Sequence, residues 1–461
     1  MTSKKLWGGR FNRPTSEVIE RFTHSLSVDG RLARQDLLGS IAHAKMLGQT
    51  RIIPRADANR LVRALQKLLR EQGRGKLKLD PSAEDVHTAI QSLIASKAGS
   101  AAERLHSGRS RNDQVVTDLR LYCKEKIAAV SGQVLQLQRR VLAEAERAEG
   151  LLMPGYTHIR HAQPVMVSHI LLSYLPALQR DRERLAGAAQ RTDEMPLGSG
   201  ALTGSGLPLN RAAAARALGF SRAMESSVDG VTSRDFAAEF LFDLSMLGVH
   251  LSRISEDFML WSTSEFGFVR FDESVLTGSS MMPQKQNPDF LELTRAGCAR
   301  LAGNLAGMLS LLKGLPSGYQ RDLQLDKPIL FEGIDQAEGM LEALTLGLKG
   351  LKWDREALAR QLRDESLYAT DLAEYLVAKG VSFAQAHRAV GRLLSHAASR
   401  RAPLRTLSLA DYRRFSPAFG PDARRLLDPN VSVRRKRSAG STNPGQVRQA
   451  IRRWRAQLRK G

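Results

Sequence analysis

From Gly278 to Asp289 the chain reads Gly-Ser-Ser-Met-Met-Pro-Gln-Lys-Gln-Asn-Pro-Asp, a segment with the equipment to take a proton from carbon beside a carboxylate. Two hydroxyls, Ser279 and Ser280, sit on a loop that Thr277 and Gly278 open and Pro283 stiffens, and Lys285 and Asn287 follow at alternate positions. A serine oxygen can act as the base, while an ammonium and an amide hold the negative charge that builds on the carboxylate as the C–H bond breaks. A serine hydroxyl is too weak an acid for this unless cations or backbone N–H groups stabilise its alkoxide, and Lys285 is the nearest cation in sequence.

Such groups need a rigid frame, and the apolar spacing supplies one that is almost wholly helical. From Gln114 to Glu149 there is no proline, and Val115, Leu119, Tyr122, Ile127, Val130, Val134, Leu137 and Val141 recur at helical spacing. Further proline-free tracts run from Asp235 to Phe268, Phe290 to Leu315 and Ile329 to Leu351. Long helices cannot bury their apolar stripes alone, so a bundle is predicted. Shorter helices are expected over Ala56–Glu71, Asp371–Lys379, Phe383–Ser395 and Gly445–Leu458. The polar segment Ser110, Arg111, Asn112 opens the longest helix, where hydroxyl, guanidinium and amide can meet carboxylates at a helix N-terminus whose dipole favours anions.

The Gly278–Asp289 loop resembles the signature loop of the fumarase/aspartase superfamily of lyases, which release fumarate. Within it the chain resembles the argininosuccinate lyases throughout: Leu6-Trp7-Gly8-Gly9-Arg10-Phe11, Ser107 to Gln114, Gly155-Tyr156-Thr157-His158, Leu197 to Leu202 and Lys313-Gly314-Leu315-Pro316 appear in order. The resemblance implies an all-α fold of three helical domains, here 1–107, 108–357 and 358–461, with a central long-helix bundle that tetramerises. It also implies active sites shared between chains, with argininosuccinate as the small-molecule substrate. By the same matching Ser279 is the base, Lys285 and Asn287 bind the dianionic intermediate, Ser280 binds a carboxylate, His158 gives a proton to the departing nitrogen and Glu292 orients it. Ser110, Arg111 and Asn112 can bind the substrate's carboxylates and Thr157 adds another donor, Tyr319, Gln324 and Lys327 match contacts to the amino-acid end, and Ser27 and Asp29 match N-terminal substrate contacts. The elimination requires no cofactor and no metal.

The chain departs from that pattern at Gln91, Ser226, Gly230, Ser233, Gln286, Gln320-Arg321, Leu325, Pro328 and Ser441. A related carbon–nitrogen lyase acting on another N-succinyl compound, or an inactive lyase-like structural protein, therefore stands beside the leading reading.

Composition bounds the rest. The 461 residues suffice for a large core, and the N-terminus lacks the apolar stretch of a secretory signal, so a cytoplasmic protein without a membrane span is expected. The two cysteines, Cys123 and Cys298, fall in helical patterns and argue against a disulfide framework. Net charge is +22, and from Val431 to Gly461 ten Lys or Arg stand with no acid. Without aromatic interleaving or a nucleic-acid module, this excess reads as a solvated face or a patch that steers a multiply negative substrate, rather than as a nucleic-acid site. Gly198-Ser199-Gly200 lacks the glycine spacing of a dinucleotide fingerprint, and no strand precedes it.

Overall fold

Helices dominate because the apolar periodicity runs in long stretches free of proline. A computed structural model describes residues 13–460; Leu6–Phe11 lies outside them. The longest helix is Arg111–Arg147, and the other long tracts become Asp235–Ser262, Asp289–Leu312 and Asp326–Gly347. One long helix, Val167–Thr192, carries Pro176 inside it. Strands are short: an antiparallel hairpin, Leu152–Thr157 with Arg160–Met166, and two pairs of two-residue strands. The fold is all-α.

The chain forms two compact units, each assembled from three segments. The first comprises Met1–Gly132, Glu183–Leu247 and Ala299–Glu338. In it Leu61, Leu65 and Leu68 of the amphipathic helix Arg55–Gly73 make one fully buried stripe, packed with Leu37 and Leu47 of Ala33–Gln49 and Ile94 of Val86–Ala98. Two helices of this packing approach so closely that a Cβ on Gly48 would lie 2.5 Å from the Cβ of Ala58.

The second unit comprises Gln133–Arg182, Gly248–Cys298 and Gly339–Gly461. Its C-terminal part packs Ala369–Ala378 against Phe383–Ser399 around Leu372, Leu376 and Leu393, and the turn between them uses Gly380 at φ 89°. The basic stretch after Val431 is a docked structure and not a free arm. Val447, Ile451, Trp454 and Leu458 of Pro444–Lys460 are buried, Arg455 Nη2 lies 2.9 Å from Glu146, and Arg139 donates to the Leu458 carbonyl at 2.8 Å. Both cysteines are free thiols, Cys123 buried and Cys298 partly so. Among the described residues, no helix is long and apolar enough to cross a membrane.

The close approach at Gly48 has a measurable consequence. Gly48→Ala gains helix propensity but overpacks a rigid contact, so a net destabilisation of about 1–3 kcal/mol is expected by urea unfolding. Unchanged or raised stability would mean that the two helices separate freely.

Candidate active site

In the first unit, a cavity of about 530 Å³ is lined by Asp29, Arg111, Asn112, Tyr319, Gln324 and Lys327, all expected from the sequence. Its geometry starts from Asp113, which has no exposed surface. One carboxylate oxygen accepts the backbone N–H groups of Gly198 at 2.8 Å and Gly200 at 2.9 Å, and the other accepts that of Ser110 at 3.0 Å. Burial raises this carboxyl to about 6, opposed by the three amides. Gly198 (φ 92°) and Gly200 (φ 61°) can bend around the carboxylate because they lack a Cβ. The glycine loop thus fixes the start of Arg111–Arg147. Asn112 Nδ2 then donates to the Ala201 carbonyl at 3.1 Å, and Ser110 Oγ accepts the Asn112 N–H at 3.2 Å.

Arg111 is held by acids from another helix start. Asp85 caps Val86–Ala98, accepting the Thr88 N–H at 2.8 Å, and its second oxygen lies 2.9 Å from Arg111 Nη1. Burial alone would raise the Asp85 carboxyl, but His87, Arg111 and Thr88 together lower it, so it stays an anion. Glu84 lies 3.4 Å from Arg111 and 3.1 Å from Arg321, and Arg321 also donates to the Thr23 carbonyl at 2.8 Å. Lys327, 2% exposed, donates to Asp326 at 2.8 Å, and Asp326 in turn accepts from the buried Arg234 at 2.6 Å. Burial would raise Asp326, yet these two cations hold it low, which leaves Lys327 an oriented ammonium on the cavity wall.

Ser27 is exposed and does not line the cavity; Ser25, buried and two residues earlier, does. Ser25 Oγ donates to Asp29 at 2.5 Å, and the other Asp29 oxygen accepts the Val86 N–H at 3.0 Å. Residues four apart share a helix face, whereas Ser27, two away from Asp29, points elsewhere. The Ser25–Asp29 spacing was the available signal.

Glu84, Asp85, His87, His106 and Arg321 also line the cavity and were not among the residues expected to do so. His87 is fully buried beside Asp36 and Asp118, and its Nδ1 bonds to Asp36. Burial would depress the imidazole, but Asp36, Asp85 and Asp118 hold it up at about 9, whereas burial and Arg109 push His106 down to about 3. The ligating atoms of Asp36, His87 and Asp118 lie within 4.8 Å of one another, a spacing a metal could use. His87 Nδ1 bonds to Asp36 and lies 3.7 Å from Asp118, whose carboxyl burial and Asp36 push up, so the group reads as a His87–Asp36 ion pair with Asp118 beside it.

In the second unit, the signature loop is closed by Thr277 and Asn287, which exchange backbone hydrogen bonds at 3.0 and 2.8 Å. Inside it, Ser279 Oγ accepts the N–H groups of Met281 at 3.3 Å and Met282 at 3.1 Å. Two amides aimed at a hydroxyl oxygen stabilise it as it loses its proton. Ser280, Lys285 and Glu292 are exposed, and Glu292 stands in the first turn of Asp289–Leu312. Thr157 and His158 are exposed at the tip of the hairpin, whose turn is His158 (φ 55°) and Ile159 (φ 57°). Left-handed backbone at two non-glycine residues costs on the order of 1–2 kcal/mol each and is concentrated at functional sites.

Residues 9–303 match the family described as Lyase, and residues 366–434 the one described as Argininosuccinate lyase C-terminal. The argininosuccinate lyase of Pelotomaculum thermopropionicum is 44% identical over 456 residues, covering 99% of both chains. This chain belongs to the argininosuccinate lyase family. The argininosuccinate lyase of Symbiobacterium thermophilum is 43% identical over 447 residues, covering 97% of both chains. Among solved structures, an EDDS lyase variant with bound fumarate is similar with TM-score 0.84 and 25% identity, over 94% of this chain and 87% of that one. A fumarate lyase from Mesorhizobium, at TM-score 0.75 and 20% identity over 96% of this chain and 99% of that one, shares the fold.

Within this family frame the departures have local accommodations. Ser233 accepts a hydrogen bond from the buried Arg120 at 3.2 Å, and Gln91 donates to the Ala102 carbonyl at 3.1 Å. Gln286 reaches Glu273 at 3.4 Å, while Leu325 is 57% exposed.

The His87 charge has a definite pH signature. A histidine raised from 6.5 to about 9 contributes stability that is fully present below pH 6.5 and lost as pH rises through 9. His87→Asn is therefore expected to cost more at pH 6 than at pH 9.5, with a difference of up to roughly 3 kcal/mol in urea unfolding. An equal cost at both pH values would refute the charged His87.

Proposed function

We propose that this chain is an argininosuccinate lyase, a carbon–nitrogen lyase that splits argininosuccinate into arginine and fumarate and so serves arginine biosynthesis. The observation that carries the chemistry is the pair of amide donors on Ser279 Oγ. They lower the cost of the alkoxide, so Ser279 can take a proton from the succinate carbon beside a carboxylate. The electron pair left behind spreads into that carboxylate, where Lys285 and Asn287 balance the second negative charge and Ser280 adds a donor. As the pair returns to form the carbon–carbon double bond, the C–N bond on the opposite side breaks. The guanidino nitrogen takes its proton from His158, which Glu292 orients.

Ser27, Asp29, Ser110, Arg111, Asn112, Thr157, Tyr319, Gln324 and Lys327 then bind the substrate, with Ser25 beside Asp29 on the cavity wall. The mixed charge of the cavity supports this reading. Arg111 and Lys327 face carboxylates, while Asp29, Glu84 and Asp85 suit the ammonium and guanidinium of the same molecule. Nothing in these steps calls for a cofactor.

The reading extends to a cytoplasmic homotetramer of three-domain chains, divided near residues 108 and 358, with each active site built from several chains. Support comes from the exposure of the catalytic loop and from apolar side chains that long helices leave open, such as Leu293 at 67% and Leu309 at 54%. Arg321 on the cavity wall, at one of the departures, favours a second reading: a lyase for another N-succinyl compound.

Fumarate release from purified protein, followed by absorbance with argininosuccinate, adenylosuccinate and aspartate in separate assays, tests both. Arginine and fumarate are expected in equal amounts from argininosuccinate alone. Ser279→Ala and His158→Asn should each lower kcat at least about a hundredfold, in line with loss of a general base or acid. Fumarate from another substrate would select the second reading, and none from any would reject both.

A further inference from the structure

The turn that presents His158 is held from outside by a group of side chains with no assigned part in the reaction. Tyr156 and His161 are cross-strand partners in the hairpin, immediately behind the Thr157–Arg160 pair that closes the turn. The Tyr156 hydroxyl and His161 Nε2 lie 3.2 Å apart, and His161 Nδ1 lies 2.7 Å from Asp364 Oδ2. The other oxygen of Asp364 accepts the Ser366 N–H at 3.0 Å and its hydroxyl at 2.7 Å, so the carboxylate is itself fixed at the start of the short helix Glu365–Tyr368. Burial would raise the Asp364 carboxyl, but His161 and Ser366 lower it, which keeps it an anion. The Tyr156 ring packs tilted against His161 and Phe266, with centroids 5.2 and 5.5 Å away. Arg160 and Glu265 are the other charged groups lining the cavity of about 400 Å³ beside this cluster.

A half-exposed contact between side chains contributes little to global stability. Its effect here is local. His158 and Ile159 both adopt left-handed backbone, and such a turn persists only where its surroundings over-determine it. A two-residue hairpin turn of this kind ordinarily relies on asparagine and glycine. Without them, the strand ends must be fixed by contacts outside the turn, and the Tyr156–His161–Asp364 chain supplies these one residue from the closing pair.

We propose that His161 and Asp364 are positioning residues for His158: together with Tyr156 they clamp the strained turn so that the imidazole is presented in one place. The proposal rests on the reading that His158 acts in turnover. Loosening the clamp misplaces the proton donor while the contacts from Asp29, Arg111, Asn112, Tyr319, Gln324 and Lys327 stay in place, so the larger loss falls on kcat.

The test uses the full-length protein with His161→Ala, Asp364→Asn, their combination, and His161→Arg, whose guanidinium can again meet Asp364. Expected are a roughly tenfold fall in kcat for each of the first two, KM within about threefold of the unmodified enzyme, and no further loss in the double variant. His161→Arg should recover kcat to within about threefold, but only with Asp364 intact. Amide hydrogen exchange across residues 156–161 should accelerate in the two damaging variants and return to normal in His161→Arg. A kcat within twofold in both damaging variants, a change confined to KM, or unchanged exchange at the turn would overturn the proposal. If the unmodified protein releases no fumarate, the reading of His158 fails, whereas the exchange comparison still decides whether the clamp exists.

Discussion

A carboxylate with no solvent must be met by donors, and in this chain the donors that meet Asp113 are backbone amides drawn from two distant stretches of sequence. That single requirement sets the course of the glycine loop, the start of the longest helix, and through Ser110, Arg111 and Asn112 the polar wall of the cavity. Amides donate in fixed directions and cannot relax as a lysine would. The helix start is therefore located by the chain itself, and side chains that bind the substrate inherit its precision.

The same economy of charge governs the rest of the first unit. Its buried cations are each answered by acids or carbonyls: Lys327 and Arg234 by Asp326, His87 by Asp36 and Asp118. A buried ion without a partner costs far more than a paired one, so these contacts restrict where each charge can sit. The cavity presents anions and cations together, an arrangement suited to a substrate that carries both signs.

The helical framework was legible in the sequence because its tracts are long, periodic and free of proline. Val167–Thr192 was not, since Pro176 interrupts the pattern that would have revealed it, and tertiary packing overrides the local break. The hairpin that carries His158 was equally hidden, as its turn lacks the residues by which such turns are recognised. Resemblance supplied most of the candidate site, and the cavity gathers six of those residues. Ser25 on the cavity wall went unread because helix phase at a short, four-residue helix is weakly written in sequence. His87 was missed because two of the three acids that give it a charge, Asp36 and Asp118, come from helices more than thirty positions to either side. No spacing rule reaches that far.

One feature of the signature loop bears on how such a chain can vary. The groups that bond to Ser279 Oγ are the amides of Met281 and Met282, not their side chains, and Met281 is 87% exposed. The bond to the hydroxyl thus constrains the backbone at these two positions and not their side chains. Drift in sequence can replace either methionine without touching the hydroxyl. Proline alone, which has no N–H to offer, removes a donor by substitution.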